Sequence, residues 1–371
     1  ECVNISVMDK ESIIAFAKEK NIDLVFVAPD DPLAAGVVDA LNDAGIRAFG
    51  PVAKAAEIES SKVFSKNLMK KYNIPTAGYE VFSDPEKAIA YIEEQNKFPT
   101  VIKADGLALG KGVIIAQSLE EAKDAVKEIM EDKKFGESGN NVVIEEFLTG
   151  PEVSVLAFTD GKTLKPMISS MDHKRALDGD KGLNTGGMGT ISPNPYYTDD
   201  MAEVCMKTIF MPTVEAMNKE GRPFKGCLYF GLMLTPDGPK VIEYNSRFGD
   251  PEAQVVLTLL DSDLVDIVNA VIDEKLDQVD IKWSKDNAAC IVMASGGYPE
   301  AYKKGIEMDG FDENGQVDGA VVFHAGTKFE NGKFYTNGGR VIGVTAKGET
   351  LEKALDNAYA AVEKISFDGA H

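Results

Sequence analysis

Three polar side chains alternate along one stretch of the sequence in a pattern that suits a metal–phosphate site. Glu243, Asn245 and Arg247 are spaced two residues apart at the end of a run that alternates as a strand does. Side chains at this spacing share one face of a β-strand. Carboxylate and amide oxygens are ligands for hard cations such as Mg²⁺, and arginine binds phosphate through paired hydrogen bonds. A half-exposed polar strand end is the alternative interpretation.

A glycine-rich loop with lysines lies in residues 103–113, KADGLALGKGV. Glycines let the backbone approach a polyphosphate closely, and lysines supply charge to its oxygens. The segment is not a Walker A loop, because Gly112 stands where Ser or Thr is required and a strand follows instead of a helix. It predicts a phosphate-binding loop between two strands. A tight hairpin with two solvated lysines is the alternative.

Two further segments carry groups that suit a nucleotide or an anion. Residues 142–152 predict a strand and an acidic linker, which can offer backbone groups to an adenine edge and a carboxylate to ribose hydroxyls. Residues 172–189 run from the basic DHKR to the glycine-rich NTGGMG, and paired cations beside such a loop suit an anionic substrate or a transient phosphorylated species. Charged strand ends and solvated basic loops remain alternatives. His173 is equally compatible with a structural hydrogen bond and with catalysis.

Taken together and in this order, these segments resemble the ATP-grasp superfamily, in which two α+β lobes clamp ATP. Within that superfamily the chain resembles the phosphoribosylamine–glycine ligase family through FGPVAKAAEIESSKVFSKNLMKKYNIPTA, KADGLALGKGV, DHKRALDGDKGLNTGGMG and IEYNSRFGDPE. The resemblance implies ATP-dependent ligation of glycine to 5-phosphoribosylamine through an acyl phosphate, in purine synthesis. Phosphoryl transfer depends on positioning and charge neutralisation, so a nucleophilic triad is not required.

The resemblance also implies a role for each matched residue, with residues 106–112 as a mobile phosphate flap. The residues implied to contact the ATP phosphates are Lys62, Lys66, Lys103, Gly106, Gly110, Lys111 and Gly112. Those implied to form the adenine hinge and the ribose acceptor are Glu145, Glu146, Phe147, Leu148 and Glu152. Those implied to hold Mg²⁺ or Mn²⁺ are Glu243 and Asn245. Those implied to act on glycine, the acyl phosphate and the transferring phosphoryl group are Lys174, Arg175, Gly187 and Arg247.

Two features depart from the family pattern. Many ATP-grasp enzymes have another acidic metal ligand twelve residues before the position of Glu243, where this chain has Gly231. The chain begins at Glu1 beside a predicted strand at residues 2–7. We therefore expect the family's N-terminal strand and glycine-rich turn, implied to bind the ribose phosphate, to precede it. Asp30 and Asp31 lie where that substrate would approach.

Two other functions compete with the ligase. One is an ATP-grasp ligase for a different acid or amine, against which the NTGGMG and FGDPE motifs argue. The other is a catalytically silent nucleotide-binding protein or scaffold, against which the intact lysines and the Glu243–Asn245 pair argue. Dependence of ADP formation on glycine and on 5-phosphoribosylamine distinguishes all three.

The elements that would position these residues fall into three regions, which predict an α/β and α+β multidomain fold. Residues 1–60 predict a partial doubly wound α/β domain, with strands at 22–28 and 46–49 around a helix at 33–42. Residues 61–275 predict the ATP-grasp domain, with a flap subdomain at about 75–145, a long functional loop at 172–195 and a long helix from Asp250. Residues 276–371 predict a β-rich domain.

Composition narrows the class of partner. The 371 residues carry 39 basic and 60 acidic side chains, a net charge of −21, which argues against nucleic-acid or anionic-membrane surfaces. No apolar run approaches the ~18 residues of a membrane span. Four scattered cysteines and three isolated histidines predict neither a disulfide framework nor a zinc site. We expect a cytoplasmic monomer that acts on small molecules.

Overall fold

The computed structural model describes residues 2–107 and 112–371. It confirms the expected multidomain architecture: an N-terminal α/β unit, a flap subdomain, a central antiparallel sheet and a C-terminal β-rich unit. Within the described residues, no helix has both the length and the apolar character needed to span a membrane.

The N-terminal unit is a parallel pair of short strands covered by helices. Its elements are α1 (Lys10–Glu19), β1 (Val25–Phe26), α2 (Asp30–Ala34), α3 (Val37–Asp43), β2 (Ala48–Phe49) and α4 (Ala53–Ser60). Strands β1 and β2 pair in parallel. The single helix predicted at residues 33–42 is wrong, because Gly36, at φ 83°, separates α2 from α3. Residues 2–7, predicted as a strand, form none.

The flap subdomain is an antiparallel sheet that buries one face against two helices. It follows α5 (Lys62–Lys71), and its elements are β3 (Tyr79–Phe82), α6 (Pro85–Gln95), β4 (Thr100–Ala104), β5 (Val113–Ala116), α7 (Leu119–Val126), a π-helical turn (Lys127–Glu131), a 3₁₀ turn (Gly136–Gly139) and β6 (Val142–Glu146). The strand order is β3-β6-β4-β5. Ile92 of α6 and Val126 of α7 pack in one core with Ile102 and Ile144. This core holds the antiparallel strands β4 and β6 side by side, with Lys103 opposite Val143 and Val101 opposite Glu145.

The central region is built on a second antiparallel sheet, of order β14-β13-β7-β8. Its elements are β7 (Glu152–Asp160), β8 (Leu164–Pro166), β9 (Met171–Asp172), β10 (Arg175–Leu177), β11 (Lys181–Asn184), β12 (Gly189–Ser192), α8 (Asp199–Cys205), a π-helical turn (Met206–Phe210), α9 (Met211–Lys219), β13 (Lys225–Thr235), β14 (Gly238–Asn245), α10 (Glu252–Val256), a 3₁₀ turn (Leu257–Leu259) and α11 (Leu264–Ile272). Phe210 packs against Phe230 in one core, and Val256 and Ile267 belong to another. The long helix predicted from Asp250 is wrong, because α10 ends at Val256 and α11 starts at Leu264.

The C-terminal unit contains β15 (Asn287–Ala294), β16 (Glu307–Met308), β17 (Val321–His324), β18 (Thr327–Glu330), β19 (Lys333–Thr336), β20 (Arg340–Gly348) and α12 (Leu351–Val362). Its main sheet has the order β17-β20-β15-β12-β9, so it includes two strands from the region predicted as a long loop. That loop prediction is therefore only partly right, since β10 and β11 form a hairpin between them. Because Gly189 pairs with Ile291, the NTGGMG turn is attached to the C-terminal unit.

Candidate active site

Strand β14 leads into the candidate site, because Glu243 and Asn245 lie on it and Arg247 follows it. Gly231 on β13 is the direct antiparallel partner of Glu243. A methyl group on Gly231 would lie 3.0 Å from Glu243 Cγ. The side chain of Glu243 therefore fills the space where the family pattern led us to expect a second acidic ligand.

One buried carboxylate holds Asn245, which ends this strand, and the two residues that follow it. Glu59, at the end of α4, is 7% exposed, and its Oε2 accepts hydrogen bonds of 2.7 Å from both Ser246 N and Ser246 Oγ. Its Oε1 lies 3.1 Å from a guanidinium nitrogen of Arg247. In the amide orientation that satisfies its neighbours, Asn245 Nδ2 donates to Glu59 Oε1 (3.0 Å) and to Tyr244 O (3.1 Å). In this orientation the amide nitrogen of Asn245, and not its Oδ1, faces Glu59.

The basic residue Lys174 reaches the same place from a different part of the chain. Its Nζ lies 3.7 Å from Glu243 Oε1 and 3.6 Å from Glu152 Oε2. Burial raises the pKa of Glu243, but the surrounding positive charges, of which Lys174 and Lys103 contribute most, together outweigh burial and hold that pKa below its usual range. Glu243 is therefore ionised at neutral pH, as a metal ligand must be.

Two of the predicted lysines form ion pairs with a second buried carboxylate, that of Glu145. Glu145 Oε2 lies 3.0 Å from both Lys66 Nζ and Lys103 Nζ, and all three residues are at most 5% exposed. Lys66 also donates to Thr76 Oγ1 (2.7 Å), and Lys103 to Ile242 O on β14 (3.1 Å). Burial lowers the pKa of Lys66 to about 8, although Glu145 opposes the shift. This cluster joins the flap subdomain to β14.

Lys62 fixes the beginning of the predicted flap. Its Nζ donates to Gly106 O at 2.7 Å, while Asp105 Oδ1 accepts from Ser61 Oγ (3.1 Å) and Val63 N (3.2 Å). At the other end, Gly112 O accepts from Ala104 N at 2.8 Å. The predicted phosphate-binding residues Gly110 and Lys111 lie outside the described residues.

The predicted adenine hinge follows the last strand of the flap sheet. Glu146 ends β6, where its backbone N donates to Gly78 O (2.8 Å), and the chain continues without regular structure through Phe147 and Leu148. Phe147 is 36% exposed. Glu145 differs from its neighbours, because its side chain points into the buried lysine cluster instead of the hinge. Glu152, the predicted ribose acceptor, begins β7 with its carboxylate near Lys174.

Arg175 is not brought together with the other predicted residues. Its guanidinium donates to Gly182 O at 3.0 Å, across its own β10–β11 hairpin. Gly187 does lie at the site: at φ 112°, its backbone passes so close to Asp172 Oδ1 and Pro251 Cδ that a methyl group would collide with both.

The C-terminal unit holds this turn through two residues that sequence analysis missed. Arg340 donates to Gly186 O (2.8 Å) and Asp250 O (2.9 Å), and pairs with Asp250 Oδ2 (3.2 Å). The hydroxyl of Tyr298 accepts from Gly186 N at 2.9 Å. These contacts fasten the NTGGMG turn to the FGDPE segment.

Other residues missed by sequence analysis are all carboxylates at or beside the site. Glu59 lies within a helix of the N-terminal unit, and Glu252 follows a pair that predicts only a helix start. Asp172 stood within a segment singled out for its basic residues. The available signal was the presence of Asp172 and Glu252 inside the motifs DHKR and FGDPE, whereas nothing local marked Glu59.

Glu243 and Asn245 fit a divalent cation that is shared with a nucleotide. Both offer hard oxygen donors, and Asn245 uses its amide nitrogen, not its oxygen, to contact Glu59. The described residues contain no group of three or more His, Cys, Asp or Glu side chains that could hold a metal ion alone. Mg²⁺ is commonly bound by one or two protein oxygens together with substrate phosphates. The donor set therefore suits an ion that arrives with the nucleotide.

Comparison with protein families gives three consecutive matches that cover most of the chain. Residues 1–59 match the N domain of phosphoribosylglycinamide synthetase, residues 60–253 its ATP-grasp (A) domain and residues 288–371 its C domain. A phosphoribosylamine–glycine ligase from Vibrio parahaemolyticus is 50% identical over 370 residues, which are 100% of this chain and 86% of the relative. The human trifunctional purine biosynthetic protein adenosine-3 is 50% identical over 367 residues, 99% of this chain and 36% of that protein.

Solved structures also match this chain, one of them a phosphoribosylamine–glycine ligase. The crystal structure of phosphoribosylamine–glycine ligase from Thermotoga maritima aligns with a TM-score of 0.78 and 38% identity, over 87% of this chain and 80% of that one. The biotin carboxylase domain of 2-oxoglutarate carboxylase from Hydrogenobacter thermophilus, solved with MgADP, aligns with a TM-score of 0.76 over 100% of this chain and 81% of that one. At 16% identity, the second likeness concerns the fold alone.

The buried lysine cluster makes a prediction about stability. Glu145→Gln leaves two buried ammonium groups without their counter-charge, and we expect the free energy of unfolding to fall by about 3–5 kcal/mol. The matched control is Glu146→Gln, the next residue, whose side chain is 56% exposed and which should change stability by about 1 kcal/mol or less. Urea unfolding of both variants measures the difference. Equal stabilities would contradict the cluster's role.

The Glu59 contacts make a prediction about the metal site. In Glu59→Gln, the amide nitrogen must face a donor, so Asn245 and Arg247 lose their fixed orientation. We expect ATP turnover to fall by about 10- to 100-fold and the Mg²⁺ concentration for half-maximal rate to rise, as for other residues that orient a ligand. Glu57→Gln on the same helix, whose partner is Arg222, is the control. An unchanged Mg²⁺ requirement in a folded Glu59→Gln protein would refute this role.

Proposed function

The chain belongs to the phosphoribosylglycinamide synthetase family, and we propose that its site carries out the family's reaction through the residues described above. It is an ATP-grasp carbon–nitrogen ligase of purine biosynthesis. It joins glycine to 5-phosphoribosylamine and forms glycinamide ribonucleotide, ADP and phosphate. The Vibrio parahaemolyticus ligase covers the whole of this chain at 50% identity, which supports this activity.

The observation that carries the proposal is the approach of Lys174 to Glu243. The two residues come from motifs 69 positions apart, yet Lys174 Nζ lies 3.7 Å from Glu243 Oε1. Asn245 and Arg247 are fixed beside them by one carboxylate. Anionic oxygen ligands next to fixed cations are what the transfer of a phosphoryl group between two anions requires.

The ATP site that we propose lies between the flap subdomain and the central sheet. Lys62 and Lys103 would provide charge to the phosphates, and Lys66 would support Lys103 through their shared carboxylate, Glu145. We also assign the phosphate flap to Gly106, Gly110, Lys111 and Gly112. The chain after β6 would hold the adenine through Glu146, Phe147 and Leu148, and Glu152 would accept the ribose hydroxyls.

The proposed metal is Mg²⁺ or Mn²⁺, held by Glu243 and Asn245. When bound, it would neutralise charge on the transferring phosphoryl group. Arg247 contributes a fixed positive charge to the same group, since Glu59 and Asp30 hold its guanidinium at 3.1 and 4.0 Å.

The ligation proceeds in two steps. A carboxylate oxygen of glycine attacks the γ-phosphorus of ATP, the bond to the β-phosphate oxygen breaks, and ADP leaves. The nitrogen of 5-phosphoribosylamine then attacks the carbonyl carbon of glycyl phosphate, phosphate leaves with the bridging oxygen, and the nitrogen loses a proton. Lys174 and the Gly187 backbone are proposed to surround the acyl phosphate, and Arg175 to line the same pocket. A closed flap would exclude water, which hydrolyses acyl phosphates.

Further properties belong to the same proposal. We place the domain boundaries at residues 1–60, 61–275 and 276–371, with the flap subdomain at about 75–145. The protein would be a cytoplasmic monomer whose partners are small molecules, without a nucleic-acid or membrane surface. The net charge of −21 supports the last point, because both surfaces repel a protein of this charge.

The proposed function is tested by measuring ADP release with Mg²⁺ in four mixtures: glycine alone, freshly generated 5-phosphoribosylamine alone, both, and neither. We expect release at the full rate only with both substrates. Release that does not depend on glycine would indicate an ATP-grasp ligase for another acid. No release in any mixture, from protein that binds ATP, would indicate a silent nucleotide-binding protein.

The metal assignment makes a separate prediction. Asn245→Ala removes one of two protein oxygens from the proposed metal site and should lower ATP turnover by about 100-fold at limiting Mg²⁺. Asn357→Ala, whose amide donates to Lys347 O within the C-terminal unit, is the control. Steady-state rates over a Mg²⁺ series measure the effect. An unchanged rate at limiting Mg²⁺ would remove Asn245 from the metal site.

A further inference from the structure

The flap base, formed by Asp105 and Gly106, is connected to the start of α5 by hydrogen bonds in both directions. Asp105 Oδ1 accepts from Ser61 Oγ (3.1 Å) and from Val63 N (3.2 Å). In return, Lys62 Nζ donates to Gly106 O at 2.7 Å. Two consecutive residues of the flap base are therefore joined to three consecutive residues at the start of a helix that lies more than 40 positions earlier in the chain.

The flap base is also held on its other side, by the chain that leads into β6. Asp105 N donates to Asn141 O (3.3 Å), and Asp105 Oδ2 accepts from Asn141 Nδ2 (3.3 Å). Gly106, at φ 140°, lies so close to Ser138 that a methyl group would be 2.1 Å from the Ser138 hydroxyl oxygen. The flap base is thus held between two elements, and Asp105 is the residue whose side chain contacts both.

Asp105 also occupies the place at which α5 could bind an anion by itself. The first N–H groups of a helix have no partner within that helix and attract negative charge. At the start of α5, Ser61 Oγ accepts from Phe64 N (3.0 Å) and Asp105 Oδ1 accepts from Val63 N. Because both donors are already used, a phosphate that approaches α5 meets the ammonium of Lys62 instead of the helix terminus.

The ammonium of Lys62 lies in the electrostatic field of the proposed metal site. Burial lowers the pKa of Lys62, and Glu243 contributes the largest charge that opposes this shift, with Asp105 opposing it as well. A lysine side chain is long and flexible, so its ammonium needs a partner to stay in one position. Gly106 O is such a partner, and the position of this oxygen depends on Asp105.

A helix cap alone does not explain the contacts of Asp105. Ser61 already provides the N-cap of α5. Asp84, in the flap subdomain, is an ordinary N-cap: its Oδ1 accepts from two backbone N–H groups at 2.9 and 3.3 Å, and both belong to its own helix, α6. Asp105 instead comes from a different element, and its other oxygen accepts from Asn141. Its carboxylate therefore connects elements, which the carboxylate of a simple cap does not.

We propose that Asp105 is a positioning residue for ATP: it joins the flap base to α5 and thereby holds the Lys62 ammonium where the phosphates of the nucleotide bind. This assignment rests on the proposed function, since it concerns the ATP site proposed there. Asp105 does not itself contact the nucleotide. It acts by fixing Gly106 O and the start of α5, between which the Lys62 side chain extends.

The test measures the Kd of MgATP by titration calorimetry and the KM for glycine by ADP release. In Asp105→Ala, we expect the Kd to rise about tenfold, the lower end of the range for residues that orient a ligand group, and the KM for glycine to stay within about twofold. Asp84→Ala is the matched control, because it removes a helix cap in the flap subdomain and should change the Kd by less than about twofold. Equal Kd values for Asp105→Ala and wild type would overturn the proposal.

A double-mutant cycle shows whether Asp105 acts through Lys62. Lys62→Ala removes the ammonium and should raise the Kd of MgATP by about 10- to 100-fold, the value of a hydrogen bond to a charged group. If Asp105 only positions that ammonium, adding Asp105→Ala to Lys62→Ala should raise the Kd by less than about twofold more. An undiminished effect of Asp105→Ala in the Lys62→Ala background would overturn the proposal, because Asp105 would then support ATP binding independently of Lys62.

Ser61→Ala decides the question if Asp105→Ala does not fold. It removes one donor to Asp105 and should raise the Kd in the same direction, whereas Ser118→Ala, which removes the N-cap of α7, should not. Equal Kd values for Ser61→Ala and Ser118→Ala would overturn the proposal. Wild-type protein that binds no MgATP would overturn the proposed function instead, since calorimetry with MgATP alone does not depend on ligation.

Discussion

The arrangement of the site depends on one carboxylate, that of Glu59. Four donors from three consecutive residues converge on it: the backbone and hydroxyl of Ser246, the guanidinium of Arg247 and the amide of Asn245. Burial raises the pKa of Glu59, and Arg247 and Ser246 counteract this rise. Because the donors surround both oxygens, the end of β14 has one favourable arrangement. A helix of the N-terminal unit thereby sets the geometry of the central sheet's metal ligands.

A second carboxylate, that of Glu145, fixes the position of the flap subdomain. Glu145 brings two lysine ammonium groups within 3.0 Å of one oxygen, and one of these lysines also bonds to the backbone of β14. Buried polar contacts thus join the N-terminal unit and the flap subdomain to β14, in addition to apolar packing such as that of Ile58 in one core with Val241. Buried ion pairs contribute little net stability but penalise wrong arrangements heavily. Buried charges with fixed positions suit phosphoryl transfer, because catalysis of that reaction depends mostly on positioned charge.

The sequence was sufficient for the family and the fold class, because the motifs that indicate them are local. Glu243 and Asn245 could be selected by their spacing and Lys174 by its place in a basic segment, and the structure brings Lys174 to Glu243 on the same strand as Asn245. Arg175 could not be separated from Lys174 by sequence, since only the β10–β11 hairpin turns it toward Gly182. Arg340 and Glu59 were missed because their partners lie 90 or more residues away in the chain. The break at Gly36 was missed because helix propensity tolerates one glycine at modest cost.

The most direct test of the central claim, that this site activates glycine as an acyl phosphate, is isotope transfer. Glycine labelled with ¹⁸O in both carboxylate oxygens is converted with ATP and 5-phosphoribosylamine, and the phosphate and ADP are analysed by mass spectrometry. The account predicts phosphate with one ¹⁸O atom per molecule and ADP without label, because the bridging oxygen leaves with the phosphate. Unlabelled phosphate, formed together with glycinamide ribonucleotide, would contradict the acyl phosphate and the proposed role of the site.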